Sequence, residues 1–150
     1  MNVYFSLGSN IGDREANIKK ALAMMDEAFS VRYSALSSII ETEAWGFRSR
    51  PFLNCVVLYK LDFDSENIEN QALKLLDKLK AIEVAMGRWE NIEYDAEGCR
   101  IYHSRIIDID ILLIGSEKIS HPRLCVPHPL MYEREFVMLP LREILGRKDD

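Results

Sequence analysis

The sequence is poor in the residues that mark the commonest nucleotide and metal sites. Its three cysteines, Cys55, Cys99 and Cys125, stand far apart with no C-x-x-C spacing. Neither a disulfide framework nor a zinc site is expected, and each thiol reads as a small apolar filler in a reducing compartment. Glycine is scarce, at seven residues of 150, and no G-x-G-x-x-G or G-x-x-x-x-G-K-S/T run occurs. The Rossmann fingerprint and the P-loop are therefore excluded. No window approaches the roughly 18 apolar residues of a membrane span. The opening MNVYFSLGSNIGDR has no basic segment and no long apolar one, so no signal peptide is expected. Positive charge is in deficit too: 19 Lys plus Arg against 24 Asp plus Glu leave a net charge of −5. A field of that sign argues against generic binding to nucleic acid or anionic membrane, while leaving room for a local basic pocket.

What is present describes an ordinary globular chain. The hydrophobic share is 48% and the charged share 29%, which excludes wholesale disorder. No repeat or linker interrupts it, so residues 1–150 are expected to form one domain. Residues 2–7 read as a strand ending at a Gly8-Ser9-Asn10 tight turn, with Asp13 capping a helix whose face carries Ile18, Leu22, Met25 and Phe29. Residues 31–40 and 52–62 read as strands, separated by a loop at 43–51. A long helix follows, capped by Asp64 or Ser65, ended by Gly87, and apolar at Ile68, Ala72, Leu75, Leu79, Ile82 and Met86. Residues 88–105 read as irregular and 106–114 as the strongest strand. A loop with Pro122, Pro127 and Pro129 then leads to a last helix over roughly 135–146, with Pro140 inside it. This β-α-β-β-α-β order predicts an α+β, ferredoxin-like sandwich: an antiparallel sheet with helices packed on it, plus a C-terminal helical tail.

The sharpest chemical signal is IIDIDILLI at 106–114. Side chains alternate along a strand, so Asp108 and Asp110 share one face, about 7 Å apart at Cα. Ile107, Ile109, Ile111 and Leu113 are expected on the other. Two carboxylates on one face suit Mg²⁺, which takes one or two carboxylates plus phosphate oxygens and water. A solvated face would tolerate them equally well, and the motif alone leaves both readings open. Its surroundings favour the metal. His103, His121 and His128 fall in the same third of the chain as Arg100, Arg105, Arg123 and Arg134, with Arg88 just past the long helix. Arginine and histidine beside paired carboxylates are what a Mg–polyphosphate site needs. A second set, Thr42, Phe52, Asn54 and Phe136, could sandwich a flat heterocycle and read its edge.

LGSNIGDR at 7–14, FLN at 52–54, IEVAMGR at 82–88, SRIIDIDILLIG at 104–115 and VPHPLMYEREFVMLPL at 126–141 occur in that order. Together they resemble the 6-hydroxymethyl-7,8-dihydropterin pyrophosphokinase family over nearly the whole chain. The R-x-x-D-x-D block followed by P-H-P and R-x-F carries the resemblance. It implies transfer of the ATP pyrophosphoryl group to the pterin hydroxymethyl oxygen, with release of AMP. It implies that Asp108 and Asp110 hold two Mg²⁺ ions, and that Arg105, Arg123, His128 and Arg134 contact ATP. It sets Glu83 on the nucleotide side of the long helix and Ile111 near the adenine. Arg88 would open the catalytic loop and act with Arg105, Asp108 and Asp110. Thr42, Phe52, Asn54 and Phe136, with backbone groups of Glu43 and Trp45, would form the pterin pocket. Three departures stand out: Glu90 replaces a second loop arginine, leaving Arg100 as its alternative; Tyr102-His103-Ser104 replaces Trp-Gly-Pro; and Thr42-Glu43 replaces Thr-Pro. The three unpaired thiols fit a reducing cytoplasm and a monomer is expected; the resemblance implies ATP and a reduced pterin as partners. The rivals are a D-x-D nucleotidyl- or glycosyltransferase, for which no acceptor motif is found, and a ferredoxin-like ligand- or RNA-binding module, which would leave the D-x-D cluster unexplained.

Overall fold

A computed structural model describes residues 1–42, 51–64, 66–87, 93–94, 96–97, 100–101 and 106–145. The elements in chain order are β1 (Asn2–Ser9), α1 (Arg14–Phe29), β2 (Ala35–Leu36), β3 (Ile40–Thr42), β4 (Phe52–Lys60), α2 (Ile68–Ala85), β5 (Glu93–Tyr94), β6 (Arg100–Ile101), β7 (Asp108–Ile114), β8 (Ile119–His121), β9 (Leu124–Val126) and α3 (Glu135–Leu145), with a 3-10 turn at Met131–Glu133 before α3. The main sheet runs β2-β4-β1-β7, with β3 also paired to β4, and every pairing is antiparallel. It is a mixed α and β architecture, as the α+β expectation requires.

Alternation sorts the side chains of the central strands into two cores. Val3, Phe5 and Leu7 of β1, Cys55, Val57 and Tyr59 of β4, and Ile109 and Ile111 of β7 face α1 and α2. Those helices answer with Ile18, Leu22 and Met25 from α1 and the expected Ile68-to-Met86 stripe from α2. The opposite face carries Tyr4, Val56, Leu58 and Leu112, covered by Val137, Leu141 and Ile144 of α3. The last helix is thus no appended tail. It forms a third layer, with Pro140 buried inside it. Because both faces of β4 are covered, it reads as a nearly continuous apolar run.

Several local expectations need correction. The strand expected at 31–40 is broken into β2 and β3, because the Ser37 hydroxyl accepts the Val56 N–H at 2.8 Å where a backbone carbonyl would otherwise continue the ladder. The α2 cap is Asn67, not Asp64 or Ser65; Ser65 lies outside the described residues. Asp64 instead forms a turn just ahead, its Oδ1 accepting from Glu66 N at 3.0 Å. The strand at 106–114 begins at Asp108. The register between β1 and β7 shifts between Tyr4 and Phe5, so Leu112 is an extra residue. That bulge sends Leu113 to the α3 side, away from Ile109 and Ile111. The proline-bearing loop holds the β8–β9 hairpin, and β5 pairs with β6 within the stretch read as irregular. Cys55 is a buried filler whose thiol burial pushes up to about 12, but Cys125 is exposed. Cys99 lies outside the described residues.

Asp13 caps α1 as expected, its Oδ1 accepting from Ala16 N at 3.1 Å. At the far end of that helix Asp26 Oδ1 accepts the buried Tyr59 hydroxyl at 2.6 Å and Tyr33 N at 3.3 Å. Burial, and then the Asp26 bond, hold the Tyr59 phenol well above its ordinary value. The native state therefore keeps this proton after the unfolded chain begins to lose it near pH 10. The stability so contributed is present below that pH and declines above it. Tyr59→Phe is expected to cost about 1–2 kcal/mol at neutral pH and to lack this part of the alkaline decline, as read from urea unfolding at pH 7 and pH 10.5.

Candidate active site

The face of the sheet that α3 covers is apolar only over half of its length. Residues directly opposite in an antiparallel pair share a face. Asp108 pairs with Gly8, and Gly8 pairs with Asn54. Asp110 pairs with Ser6 in the next same-face row. On β4, Phe52 and Asn54 precede Val56 and Leu58 with the same parity, and Phe52 pairs with Thr42 of β3. Where Val56, Leu58 and Tyr4 lie under α3, the face is closed. Where Ser6, Gly8, Asn54, Asp108 and Asp110 lie, it is an open cleft of about 130 Å³, walled by Phe52 and Thr42 on one side and by Arg134 and Phe136 on the other.

The entry to α3 supplies that second wall. The Arg134 carbonyl accepts the first helical bonds, from Val137 N and Met138 N, each at 2.9 Å. Phe136 is then one residue short of Val137, the first α3 side chain in the core. The Arg134 guanidinium lies 5.7 Å from the Phe136 ring centroid. A cation over a ring face is attracted by the ring quadrupole, and both residues line the cleft.

The floor is shaped by an absent side chain. A Cβ on Gly8 would stand 2.8 Å from Asn54 Oδ1 and 3.4 Å from Phe52 Cδ1. Glycine inside a strand commonly marks such a close approach. Asn54 is only 8% exposed, and its Nδ2 donates to Thr42 Oγ1 at 2.7 Å. The amide is thereby pinned, with its oxygen toward Gly8.

The two carboxylates are half-buried and carried on β7, an edge strand of the main sheet. Among the described residues no group of three or more His, Cys, Asp or Glu could enclose a metal. Two hard oxygen donors in an open cleft fit Mg²⁺ whose remaining ligands come from phosphate and water; they do not fit a metal held by protein alone. Between them on the strand, Ile109 N donates to Glu83 Oε2 at 2.9 Å. Glu83 is 3% exposed and does not line the cleft.

The remaining basic groups divide. Burial lowers the His128 imidazole from its ordinary value, and the Arg134 charge lowers it further, against a smaller opposite pull from Asp108. Its Nδ1 accepts Leu130 N at 3.3 Å. His128 thus feels the charges of Arg134 and Asp108, two of the residues lining the cleft. Arg123 is exposed on the β8–β9 turn, ion-paired to Asp77 of α2, with its backbone N–H donated to His121 Nδ1 at 3.0 Å. It is not a lining residue. Ile111 is 2% exposed in the helix-side core, so its side chain is not in the cleft. Glu43, Trp45, Arg88, Glu90, His103 and Arg105 lie outside the described residues, as does the side chain of Arg100.

Thr42, Phe52, Asn54 and Phe136 are therefore brought together with Asp108, Asp110 and Arg134 around one cleft. Ser6 and Gly8 belong to it and were not singled out by sequence as site residues. The signal available for Gly8 was a glycine in a run that pairs on both sides, which reads locally as a turn.

A family model described as 7,8-dihydro-6-hydroxymethylpterin-pyrophosphokinase matches residues 4–146. The 2-amino-4-hydroxy-6-hydroxymethyldihydropteridine pyrophosphokinase of Porphyromonas gingivalis is 40% identical over 144 residues, covering 95% of this chain and 89% of its own. The protein of the same name from Bacillus subtilis is 37% identical over 142 residues, 94% of this chain and 76% of its own. A folate synthesis bifunctional protein of Arabidopsis thaliana is 37% identical over 150 residues, 98% of this chain but 28% of its own.

Gly8→Ala is expected to drive the new methyl into the pinned Asn54 amide, breaking its bond to Thr42. The expected loss is about 1–2 kcal/mol in denaturant unfolding, with β1 and β4 amide resonances displaced around position 54.

Proposed function

The chain belongs to the 7,8-dihydro-6-hydroxymethylpterin-pyrophosphokinase family and is a pyrophosphokinase of folate biosynthesis, and from that premise we propose that the α3-side cleft holds both substrates. The observation that carries this reading is one lining set shared by two kinds of chemistry. The same cleft is lined by two carboxylates and an arginine and by two aromatic rings and a pinned amide.

Phe52 and Phe136 are proposed to stack on the two faces of the pterin, with Asn54 and Thr42 at its polar edge. Backbone groups of Glu43 and Trp45 complete the slot in this proposal. The hydroxymethyl group then points along the sheet toward Asp108 and Asp110. Arg134 faces the triphosphate, with His128 beside it and Arg88, Arg105 and Arg123 as further phosphate contacts. Asp108 and Asp110 would hold Mg²⁺, proposed as two ions, which when bound neutralises phosphate charge and polarises the transferred group. Ile111 and Glu83 are proposed to act on the nucleotide side from the β7 edge and α2, through the strand backbone rather than through exposed side chains.

The pterin hydroxyl attacks the β-phosphorus in line, forming the new O–P bond and giving up its proton to solvent as the bond to the bridging oxygen of the leaving AMP breaks. No covalent enzyme intermediate is required. The residues position two reactants and stabilise charge, and such alignment supplies much of the acceleration in phosphoryl transfer. The sheet order supports the ferredoxin-like assignment within the α+β class. A single domain, a cytoplasmic location and a monomeric state complete the proposal. No described helix is long and apolar enough to cross a membrane.

Asp110→Ala is expected to stay folded, since the residue is only half-buried, and to lose roughly a thousand-fold or more in AMP formation, followed by nucleotide chromatography. Turnover like the parent chain would defeat the metal assignment. Phe136→Ala is expected to weaken the reduced pterin alcohol while sparing an ATP analogue in separate calorimetric titrations. Equal losses for both ligands would contradict the division of the cleft.

A further inference from the structure

Arg14 is the first residue of α1, directly after the capping Asp13. A cation there opposes the helix dipole, so its position calls for a compensating partner. It has two. Nη2 pairs with Glu41 Oε2 at 2.9 Å, the Arg14 side chain being 17% exposed and that of Glu41 55%. Nη1 donates to the Pro51 carbonyl at 2.7 Å. An exposed ion pair alone would contribute little. The partly buried second arm, to a backbone carbonyl, makes this a fixed bridge.

The two acceptors flank one end of the β3–β4 pair, Glu41 within β3 and Pro51 just before β4 begins. Glu41 pairs with Leu53, and Thr42 with Phe52. Glu41 immediately precedes Thr42, and Pro51 immediately precedes Phe52. Both Thr42 and Phe52 wall the cleft, and Thr42 in turn pins Asn54. Arg14 itself does not line the cleft. We propose that Arg14 is a positioning residue for the heterocycle: a guanidinium clasp that sets the spacing of Thr42 and Phe52 and, through Thr42, the orientation of the Asn54 amide. The proposal rests on the reading that this end of the cleft takes the pterin. Arginine suits the task because its planar fork reaches two acceptors at once; a lysine ammonium on one flexible stem does not.

The test uses the full chain with Arg14→Met, Arg14→Lys and Glu41→Gln, beside Phe136→Ala as reference. Affinity for the reduced pterin alcohol is measured by calorimetry at saturating Mg²⁺ and ATP analogue. Analogue affinity, pterin KM, kcat and Tm are measured in parallel. Arg14→Met is expected to raise pterin Kd and KM about ten-fold, with analogue affinity unchanged. Arg14→Lys is expected to recover part of the loss, and Glu41→Gln to show a smaller rise. Unchanged pterin affinity in folded Arg14→Met overturns the proposal, as does equal weakening of both ligands or a fall in Tm alone. If Arg14→Met does not fold, Glu41→Gln decides by the same criteria, since it alters an exposed side chain. Should Phe136→Ala leave pterin binding intact, the pterin reading itself fails. Should Phe136→Ala weaken it while the Arg14 variants do not, only the clasp fails.

Discussion

The register of β1 between β4 and β7 is the constraint on which the site depends. Gly8 faces Asn54 on one side and Asp108 on the other, so three strands distant in sequence contribute one row across the sheet. A slip of one residue in either pairing would turn the aspartates or the amide into the α1–α2 core. That core is what forbids the slip: Val3, Phe5 and Leu7 are all but completely buried on the helix side, and reversing them would expose three large apolar groups. Hydrophobic alternation thus aims the polar groups without any polar contact having to do so.

The same sheet face serves two purposes along its length. Toward the Val56–Leu58 end it is sealed by α3, and toward the Phe52–Asn54 end it is left open. The boundary is set by the helix entry, where the chain passes from Arg134, extended, into the first helical bonds. Adjacent residues of one helical turn therefore belong to different regimes, Phe136 walling a polar cleft and Val137 plugging an apolar core.

What could be read from sequence was what depends on local period. The stripes on α1 and α2 lay where 3.6-residue spacing put them, and the common face of Asp108 and Asp110 followed from strand alternation. What could not be read depends on partners far away in the chain. Alternation along 106–114 places Leu113 with Ile109 and Ile111, but the bulge opposite Tyr4 and Phe5, set by pairing with a distant strand, turns it to the α3 side. The break between β2 and β3 turns on one Ser37 hydroxyl meeting the Val56 N–H. Gly8 reads as a turn because nothing nearby in sequence reveals that Asn54 and Phe52 crowd its α-carbon. Nothing near Arg123 in sequence reveals that its guanidinium pairs with Asp77 on α2.

The junction at the start of α3 limits how this chain could change its ligand. Phe136 is one peptide from Val137, which is locked in the interior, so the ring cannot retreat without dragging a layer of the protein with it. The Thr42–Phe52 side is instead the outer end of the β3–β4 pairing, where Thr42 is the last residue of a three-residue strand and Phe52 the first of β4. Any lineage selected to admit a bulkier heterocycle, or to escape a competitive inhibitor, should accumulate its substitutions on the β3–β4 side and leave the helical wall alone.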